Sequence, residues 1–369
     1  MVLRWVLRAW IRMALWFRFR KIQWVFHGPI PMAEGAIIAG NHQNSILDSM
    51  TLASSSPRIP FTLSRGSLFD TALARAFLST IRMIPVYRFR DGFGKMRKNS
   101  EVFRQFVEVL RRDEWLLIFP EGNHELRYTL RRLQKGIARI VFAAQEDQGW
   151  EKEIPILPVG LQYEDHTGIG GRLLVQFGHP VSSLAFRDLY AENPKEAERG
   201  LTQSVFEALK PLLIIPPSDE AGYRAAMERW APNKGRFPDL MDQFRSDRDF
   251  VAGGGRDEAE AGSGVLVSGG GRTTKALRRL AGFCLSLPGI ILHAPPTLAA
   301  VGLVRVFVRD VPLIPGARFL VAMFLVPIWY LMVLFIWLGR TESLFWSLLP
   351  LLLMPLSLWF WSRFRHWVR

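Results

Sequence analysis

Two residues with complementary chemistry, His42 and Asp48, lie six positions apart, directly after a short apolar run at 36–39 and Gly40. The run predicts a buried strand, and α/β proteins place catalytic groups beyond the carboxyl ends of such strands. A histidine there can present one ring nitrogen to a substrate while a carboxylate binds the other, fixes the tautomer and stabilises the imidazolium. The pair therefore predicts general-base activation of a hydroxyl group.

Covalent catalysis is not favoured by the remaining nucleophiles. The sequence has no serine in a nucleophile-elbow pattern, and its single cysteine, Cys284, lies in an apolar stretch towards the C terminus. One cysteine also excludes an internal disulfide framework and a multi-cysteine metal site.

Candidate phosphate ligands occur in two further segments. Ile84-Pro85-Val86-Tyr87-Arg88 ends a stretch that we predict to be helical, and it directs Arg88 outward. Arg65 follows a strand predicted at 59–63 and is placed in a similar way. Arginine binds phosphate oxygens in a bidentate manner, although a surface arginine in an ion pair is the alternative.

A sharp chain exit is predicted at Phe119-Pro120-Glu121-Gly122, after a strand at 115–119. A carboxylate fixed there can hold a substrate hydroxyl, whereas a solvated turn is the alternative. Lys135 precedes a predicted helix and is either a phosphate ligand or a solvated cation. The segment 154–160 predicts a buried strand with a structural role.

Four blocks, taken in order, resemble those of the glycerolipid acyltransferase superfamily, which includes the glycerol-3-phosphate and 1-acylglycerol-3-phosphate acyltransferases. The blocks are His42 with Asp48, Ile84-Pro85-Val86 with Arg88, Phe119-Pro120-Glu121-Gly122, and Ile156-Leu157-Pro158-Val159. The resemblance spans roughly residues 25–185. It implies that His42 is the base and Asp48 its partner, with Arg88 and the Glu121-Gly122 turn in the acceptor site. It also implies an acyl-CoA or acyl-carrier-protein donor, no metal and no resident cofactor.

Two departures from the commonest family pattern concern the acceptor. Five residues separate His42 from Asp48, one more than is usual, and Asn44 continues a pattern similar to a branch with glycerol-3-phosphate and dihydroxyacetone-phosphate acyltransferases. The third block usually carries an arginine where this sequence has His124, so the phosphate contact is weaker or pH-dependent, or another cation replaces it. The candidate replacements are Arg127, Arg131, Arg132 and Lys135. The predicted substrate-binding residues are Asn44, Arg65, Arg88, Glu121, Gly122, His124 and Lys135.

The elements that must position these residues alternate between strands and helices. Strands are predicted at 36–39, 59–63, 115–119, 156–161 and 173–177, and the clearest helix at 98–112. This alternation predicts an α/β acyltransferase domain at 26–213, with a mixed, mostly parallel sheet covered by helices. A helical extension at 214–250 and a flexible glycine-rich linker at 251–275 are predicted to follow.

Residues 1–25 predict a basic amphipathic helix, with Arg4, Arg8 and Arg12 at every fourth position and aromatic residues between them. Such a helix lies in a membrane interface with its cations near anionic headgroups. A helix packed on a soluble domain is the alternative. The same charges interrupt the apolar stretch that a signal peptide requires.

The C-terminal region, 276–369, contains long uncharged apolar runs. The runs at 319–339 and 343–361 are each long enough to cross a bilayer and predict a tight transmembrane helical hairpin. The earlier run at 280–304 contains prolines and suits a re-entrant or interfacial element better than a span, with a third span as the alternative. Basic residues at both outer ends of the hairpin predict that both face the cytoplasm. A buried hairpin of a soluble protein is the alternative.

Together these features predict a membrane-bound O-acyltransferase of phospholipid biosynthesis, with glycerol-3-phosphate or 1-acylglycerol-3-phosphate as the acceptor of the acyl group. Another lysophospholipid or an acyl-amino-acid lipid is the alternative acceptor, and a non-catalytic lipid-binding protein is the alternative of another class. The net charge of +14 implies an anionic partner, and its dispersed cations favour membrane lipids over nucleic acid. We expect an integral protein on the cytoplasmic side of a membrane, the bacterial inner membrane.

Overall fold

A seven-stranded sheet forms the centre of the protein. The computed structural model describes residues 2–86, 99–253, 272–340 and 344–368. The strand order is β1-β7-β6-β2-β5-β3-β4, and every neighbouring pair is parallel except β6 with β7. This arrangement confirms the predicted mixed, mostly parallel sheet. The strands are β1 (Phe19–Phe26), β2 (Ala36–Gly40), β3 (Phe61–Arg65), β4 (Met83–Val86), β5 (Trp115–Ile118), β6 (Ile156–Tyr163) and β7 (Gly171–Phe177).

Helices cover both faces of the sheet. Because side chains alternate along a strand, Ile37 and Ala39 of β2 enter one core while Ala36 and Ile38 enter the other. The first core contains α4, α5 and α7, and the second contains α1 and α2. The helices of the domain and its extension are α1 (Val2–Arg18), α2 (Ile46–Ser55), α3 (Ala72–Thr80), α4 (Asn99–Arg111), α5 (Gly136–Asp147), α6 (Arg187–Glu192), α7 (Pro194–Leu209), α8 (Glu220–Trp230) and α9 (Leu240–Ala252).

Two predicted helices are partly strands. The N-terminal helix, predicted over 1–25, ends at Arg18, and the chain continues directly into β1. The sequence of β1 is rich in aromatic and β-branched residues, and the strand pairs with β7, so sheet pairing outweighs the amphipathic pattern. The segment predicted to end a helix before Arg88 is likewise strand β4, paired with β3. Arg88 itself lies outside the described residues.

The arginines of α1 have different environments. The buried Arg8 donates from Nε to the Ser54 carbonyl at 2.7 Å and from Nη2 to the Ser56 carbonyl at 2.6 Å. Arg4 donates to the Thr80 carbonyl at 2.8 Å. These contacts satisfy carbonyls at the C-terminal ends of α2 and α3, where cations are favoured by the helix dipole. Of the three, only Arg12 is exposed, so the prediction that all three face headgroups is wrong for Arg8.

The C-terminal region contains α10 (Arg272–Phe307), α11 (Ile314–Leu338) and α12 (Leu344–Val368). Within the described residues, two helical segments are long and apolar enough to cross a membrane, Arg279–Phe307 and Val311–Leu338. The second segment corresponds to the first predicted span, and the run at 343–361 falls largely on α12. We predicted a re-entrant or interfacial element at 280–304, but α10 is one continuous helix through Pro288, Pro295 and Pro296. The predicted linker at 251–275 lies mostly outside the described residues.

The C-terminal helices dock on the domain at two places. A Cβ atom added to Gly316 of α11 would lie 3.1 Å from Cβ of Ile46, the first residue of α2. Arg363 of α12 donates to the Phe19 carbonyl at 2.9 Å. The beginning of α11 and the end of α12 therefore both contact the domain.

The Arg8 contacts generate a stability prediction. Arg8→Ala removes two hydrogen bonds from a charged donor. The carbonyls of Ser54 and Ser56 then lack the guanidinium that binds them. Hydrogen bonds to charged groups contribute about 1.5–3 kcal/mol, so we expect a loss of about that size in the free energy of unfolding. Denaturant titration in detergent measures this loss, and Arg12→Ala on the exposed face is the matched control. Equal stability of the two variants would contradict the capping role.

Candidate active site

The carboxyl ends of β2, β5 and β3 meet at one edge of the sheet, and the predicted catalytic segment begins there. Asn41, the first residue after β2, is fully buried. Its side chain both donates a hydrogen bond to the backbone of Leu161 in β6 and accepts one from it. Its Nδ2 donates to the Leu161 carbonyl at 3.2 Å, and the Leu161 N–H donates to its Oδ1 at 2.7 Å. This clamp fixes the residue that precedes His42.

His42 and Asp48 form a hydrogen-bonded pair. Nδ1 of His42 lies 3.0 Å from Oδ2 of Asp48, which stands in the first turn of α2. An ionised carboxylate only accepts, so Nδ1 carries the proton and Nε2 keeps its lone pair. The His42 side chain is 14% exposed, whereas the Asp48 side chain is fully buried. This is the geometry of a general base whose tautomer a carboxylate fixes.

Asp48 has two further hydrogen-bond donors. Its Oδ2 accepts the Asn44 backbone N–H at 2.7 Å, and its Oδ1 accepts the Tyr163 hydroxyl at 2.7 Å. Burial and the neighbouring Asp48 raise the pKa of Tyr163 well above 10, so its hydroxyl keeps the proton that it donates. Buried carboxylates require such partners because desolvation penalises an unpaired charge.

The imidazole of His42 lies between two rings. It stacks on Phe119 with ring centroids 4.0 Å apart and an interplanar angle of 12°, and His124 approaches it edge-on at 5.2 Å. Phe119 follows β5, and a Cβ added to Gly40 would lie 3.0 Å from its ring. The structure therefore places His124, a predicted substrate-binding residue, beside the base.

Glu121 connects the turn after β5 to the His42 backbone. Its Oε1 accepts the His42 N–H at 2.7 Å, and its Oε2 accepts from Nε of Arg131 at 2.9 Å. Burial raises the pKa of Glu121, and the hydrogen bond from Arg131 partly opposes that shift. Gly122 closes the turn with φ at +71°, a conformation that favours glycine. Both oxygens of Glu121 are thus bound within the protein, and its predicted contact with substrate stays a prediction.

Asn44 and Gln43 anchor the loop between β2 and α2. Nδ2 of the fully buried Asn44 donates to the His166 carbonyl at 2.6 Å. Nε2 of His166 lies 3.0 Å from Oε1 of Gln43, a bond in which the ring donates. Burial lowers the pKa of His166 to about 4, so the ring is neutral at neutral pH. The contacts of Asn44 are with this framework, and its substrate contact also stays a prediction.

The predicted cations are distributed around the same edge. Arg65 ends β3, two strands from β2, which corresponds to about 10 Å of sheet width. Lys135 follows Gln134, whose N–H donates to the Pro120 carbonyl at 2.7 Å, so it starts α5 next to the Glu121 turn. Arg88 lies outside the described residues. Among the described residues, no group of three or more His, Cys, Asp or Glu side chains could hold a metal ion.

Sequence reasoning missed Tyr163 and Arg131, which support the two central carboxylates. Tyr163 is the last residue of β6, which we predicted to end at Leu161. Continuing the alternation by two residues would have placed Tyr163 on the same face as Leu161. Arg131 was only one of four possible substitutes for the missing arginine, and no local pattern indicated that it binds Glu121.

Comparison with known proteins supports an acyltransferase domain here. Residues 22–162 match the family model Acyltransferase. None of the curated proteins matches the chain. A solved structure that is similar is the 1-acyl-sn-glycerophosphate (LPA) acyltransferase PlsC from Thermotoga maritima. The identity is 16% and the TM-score is 0.39, and the match covers 56% of this chain and 79% of that one.

The Tyr163 contact generates a catalytic prediction. Tyr163→Phe removes the donor to Oδ1 of Asp48 and weakens the restraint on His42, so we expect kcat for acyl transfer to fall about tenfold. Tyr128→Phe is the matched control, because its buried hydroxyl donates to the Tyr163 carbonyl and not to Asp48. Steady-state kinetics should show a change in kcat of no more than about twofold for the control. Equal losses in both variants would assign Tyr163 to stability alone.

Proposed function

We propose that the protein is a membrane-bound O-acyltransferase of phospholipid biosynthesis. It transfers a fatty acyl group from an acyl thioester, carried by coenzyme A or an acyl carrier protein, to a hydroxyl of glycerol-3-phosphate or 1-acylglycerol-3-phosphate. The observation that carries the proposal is the His42–Asp48 pair at the end of β2, within the region that matches the acyltransferase family model. The active site needs no metal and no resident cofactor for this reaction.

The reaction proceeds by direct attack of the acceptor on the thioester. Nε2 of His42 takes the proton of the acceptor hydroxyl, and the oxygen forms a bond to the thioester carbonyl carbon. Asp48 stabilises the imidazolium that results. When the tetrahedral intermediate collapses, the carbon–sulfur bond breaks and the imidazolium returns the proton to the thiolate. The products are an ester and a free thiol.

Cations near the turn after β5 supply the acceptor site. Arg131 and Arg127 are already bound, to Glu121 and to Glu220. Arg132 and Lys135 therefore remain as replacements for the arginine of the third block, and Arg65 adds a guanidinium at the end of β3. A phosphate on the acceptor matches this cluster, because arginine and lysine bind phosphate oxygens by charge-assisted hydrogen bonds.

Exposed apolar surfaces support attachment to a membrane. On α1, Trp5 is 56% and Val6 is 59% exposed, while Arg4 and Arg8 point to the domain. On α11, Ile328 is 59% and Phe335 is 69% exposed, which fits lipid contact better than a buried hairpin of a soluble protein. The C-terminal region also contacts α1, because the Arg363 guanidinium of α12 lies 5.1 Å from the ring centre of Trp16.

The assay of the proposed function compares acceptors in parallel. Purified protein in vesicles receives radiolabelled acyl-CoA or acyl carrier protein with glycerol-3-phosphate, 1-acylglycerol-3-phosphate, another lysophospholipid or an acyl-amino-acid lipid. We expect transfer to a glycerol phosphate, and His42→Ala should lower kcat by about 10²–10⁴-fold, the usual range for loss of a general base. His27→Ala, an exposed histidine just after β1, is the matched control. Full activity of His42→Ala would overturn the mechanism, and transfer only to an acceptor without phosphate would overturn the proposed substrate.

The contacts of α11 and α12 generate a topology prediction. Because the start of α11 and the end of α12 both contact the domain, we expect the C terminus on the same, cytoplasmic side as the active site. A reporter fused after Arg369 reads that side. A cysteine placed at Thr341 in a Cys284→Ser background should react with an impermeant thiol reagent only from the opposite side. A C terminus opposite the active site would contradict the hairpin.

A further inference from the structure

The first turn of α11 is in close contact with the helix that carries Asp48. A Cβ atom added to Gly316 would lie 3.1 Å from Cβ of Ile46, 3.3 Å from the Leu47 nitrogen and 3.4 Å from the Ile46 nitrogen. Gly316 and Ala317 are both buried. A side chain at position 316 therefore requires α11 or the start of α2 to move by a few tenths of an ångström or more.

The start of α2 has no side-chain cap, so its position depends on the contacts of the preceding loop, of Asp48 and of α11. Ser45 precedes it with φ at 45° and ψ at −113°, an uncommon conformation for a residue other than glycine, and its side chain caps no N–H group. Asp48 stands only two residues after Ile46. A displacement of the first turn would therefore shift the Asp48 carboxylate relative to Nδ1 of His42.

The C-terminal helices resist moving away from α2. Phe319, one turn after Gly316, packs against the core that contains Leu47 and Leu52. Further along α11, the Trp329 indole donates to the Leu292 carbonyl of α10 at 2.9 Å, and the Tyr330 hydroxyl lies 2.7 Å from Nε2 of His293. Since α11 is bound on both sides, strain introduced at Gly316 is transferred to α2.

We infer that Gly316 is a positioning residue for the His42–Asp48 pair, through which the C-terminal helices hold the catalytic carboxylate in place. This inference rests on the proposed function. It assigns to the apolar C-terminal region a role in turnover that is separate from attachment to the membrane.

The test compares Gly316→Val with Gly302→Val in full-length protein in vesicles. Gly302 is an exposed residue of α10, and an added Cβ there meets no atom within 4 Å, so it is a matched control with the same change in helix propensity and hydrophobicity. Small misplacements of catalytic groups cost up to about 10²-fold, so we expect Gly316→Val to lower kcat by about 10–100-fold. The KM for the acyl donor should change by no more than about twofold, because the proposed effect is on the proton transfer by His42 and not on binding of the donor. Gly302→Val should match the unmodified protein.

A graded pair of substitutions separates positioning from general damage. Gly316→Ala adds only the Cβ atom that lies 3.1 Å from Cβ of Ile46, so we expect it to lower kcat less than Gly316→Val does. If Gly316→Val does not accumulate as folded protein, Gly316→Ala makes the same comparison with a single methyl group. Near-normal kcat in folded Gly316→Val, or equal losses of kcat in Gly316→Val and Gly302→Val, would overturn the inference.

Hydrogen exchange gives a readout that does not depend on activity. The peptide that contains residues 44–52 should exchange faster in Gly316→Val than in Gly302→Val, because its first turn is displaced. If the unmodified protein transfers no acyl group to any acceptor, the proposed function fails while this comparison still tests the contact. If exchange is the same in both variants, the positioning role fails whatever the assay shows.

Discussion

The buried carboxylate of Asp48 is the constraint on which the site depends. It is enclosed, and its oxygens bind the His42 ring, the Asn44 backbone and the Tyr163 hydroxyl. The buried charge of Asp48 is stable only while those donors stay in place, because their hydrogen bonds offset the free-energy cost of removing an ionised carboxylate from water. The ends of β2 and β6 and the first turn of α2 must therefore be positioned accurately enough for Asp48 to hydrogen-bond both His42 and Tyr163. One edge of the sheet can meet this requirement, because β2 and β6 are parallel neighbours and bring both His42 and Tyr163 to Asp48.

The sequence predicted the elements that depend on local pattern and missed those that depend on distant partners. Strand β2, the exit at Glu121 and the mostly parallel sheet follow from apolar runs and from the residues that end them. Strand β1 could not be predicted, because apolar and polar residues do not alternate regularly along it. Its partner β7 lies more than a hundred residues away in the sequence. Tyr163 and Arg131 share this property, since their roles depend on which carboxylate the fold brings to them. The roles predicted for Arg88 and for the other substrate ligands remain predictions.

Several of the arginines that contribute to the net charge of +14 form contacts within the protein. Arg8 and Arg4 satisfy carbonyls at helix ends, Arg131 binds Glu121, and Arg82 forms a bidentate pair with Glu114 at 2.6 and 2.7 Å. Such arginines hold helices and loops on the sheet. In a basic amphipathic helix the cations usually lie near lipid headgroups, whereas Arg4 and Arg8 of α1 bond carbonyls of the domain. Trp5 and Trp16 of α1 are exposed. Attraction to anionic headgroups therefore comes from the exposed cations, such as Arg12, and apolar contact supplies the rest.

Polar contacts also fix how the C-terminal helices pack, and one of them lies where a helix lacks an internal hydrogen bond. Pro296 has no N–H group, so the Leu292 carbonyl loses its partner within α10, and the Trp329 indole of α11 donates to that oxygen. One residue further on, Nδ1 of His293 donates to the Gly289 carbonyl, which leaves Nε2 to accept from the Tyr330 hydroxyl. An unpaired carbonyl costs more in an apolar surrounding than in water, so these bonds fix the register of α11 against α10. Because the first turn of α11 also contacts Ile46 at the start of α2, the register of α11 against α10 bears directly on the position of Asp48. Pro296, one of the prolines that appeared from the sequence to interrupt a span, thus belongs to the series of contacts that ends at the His42–Asp48 pair.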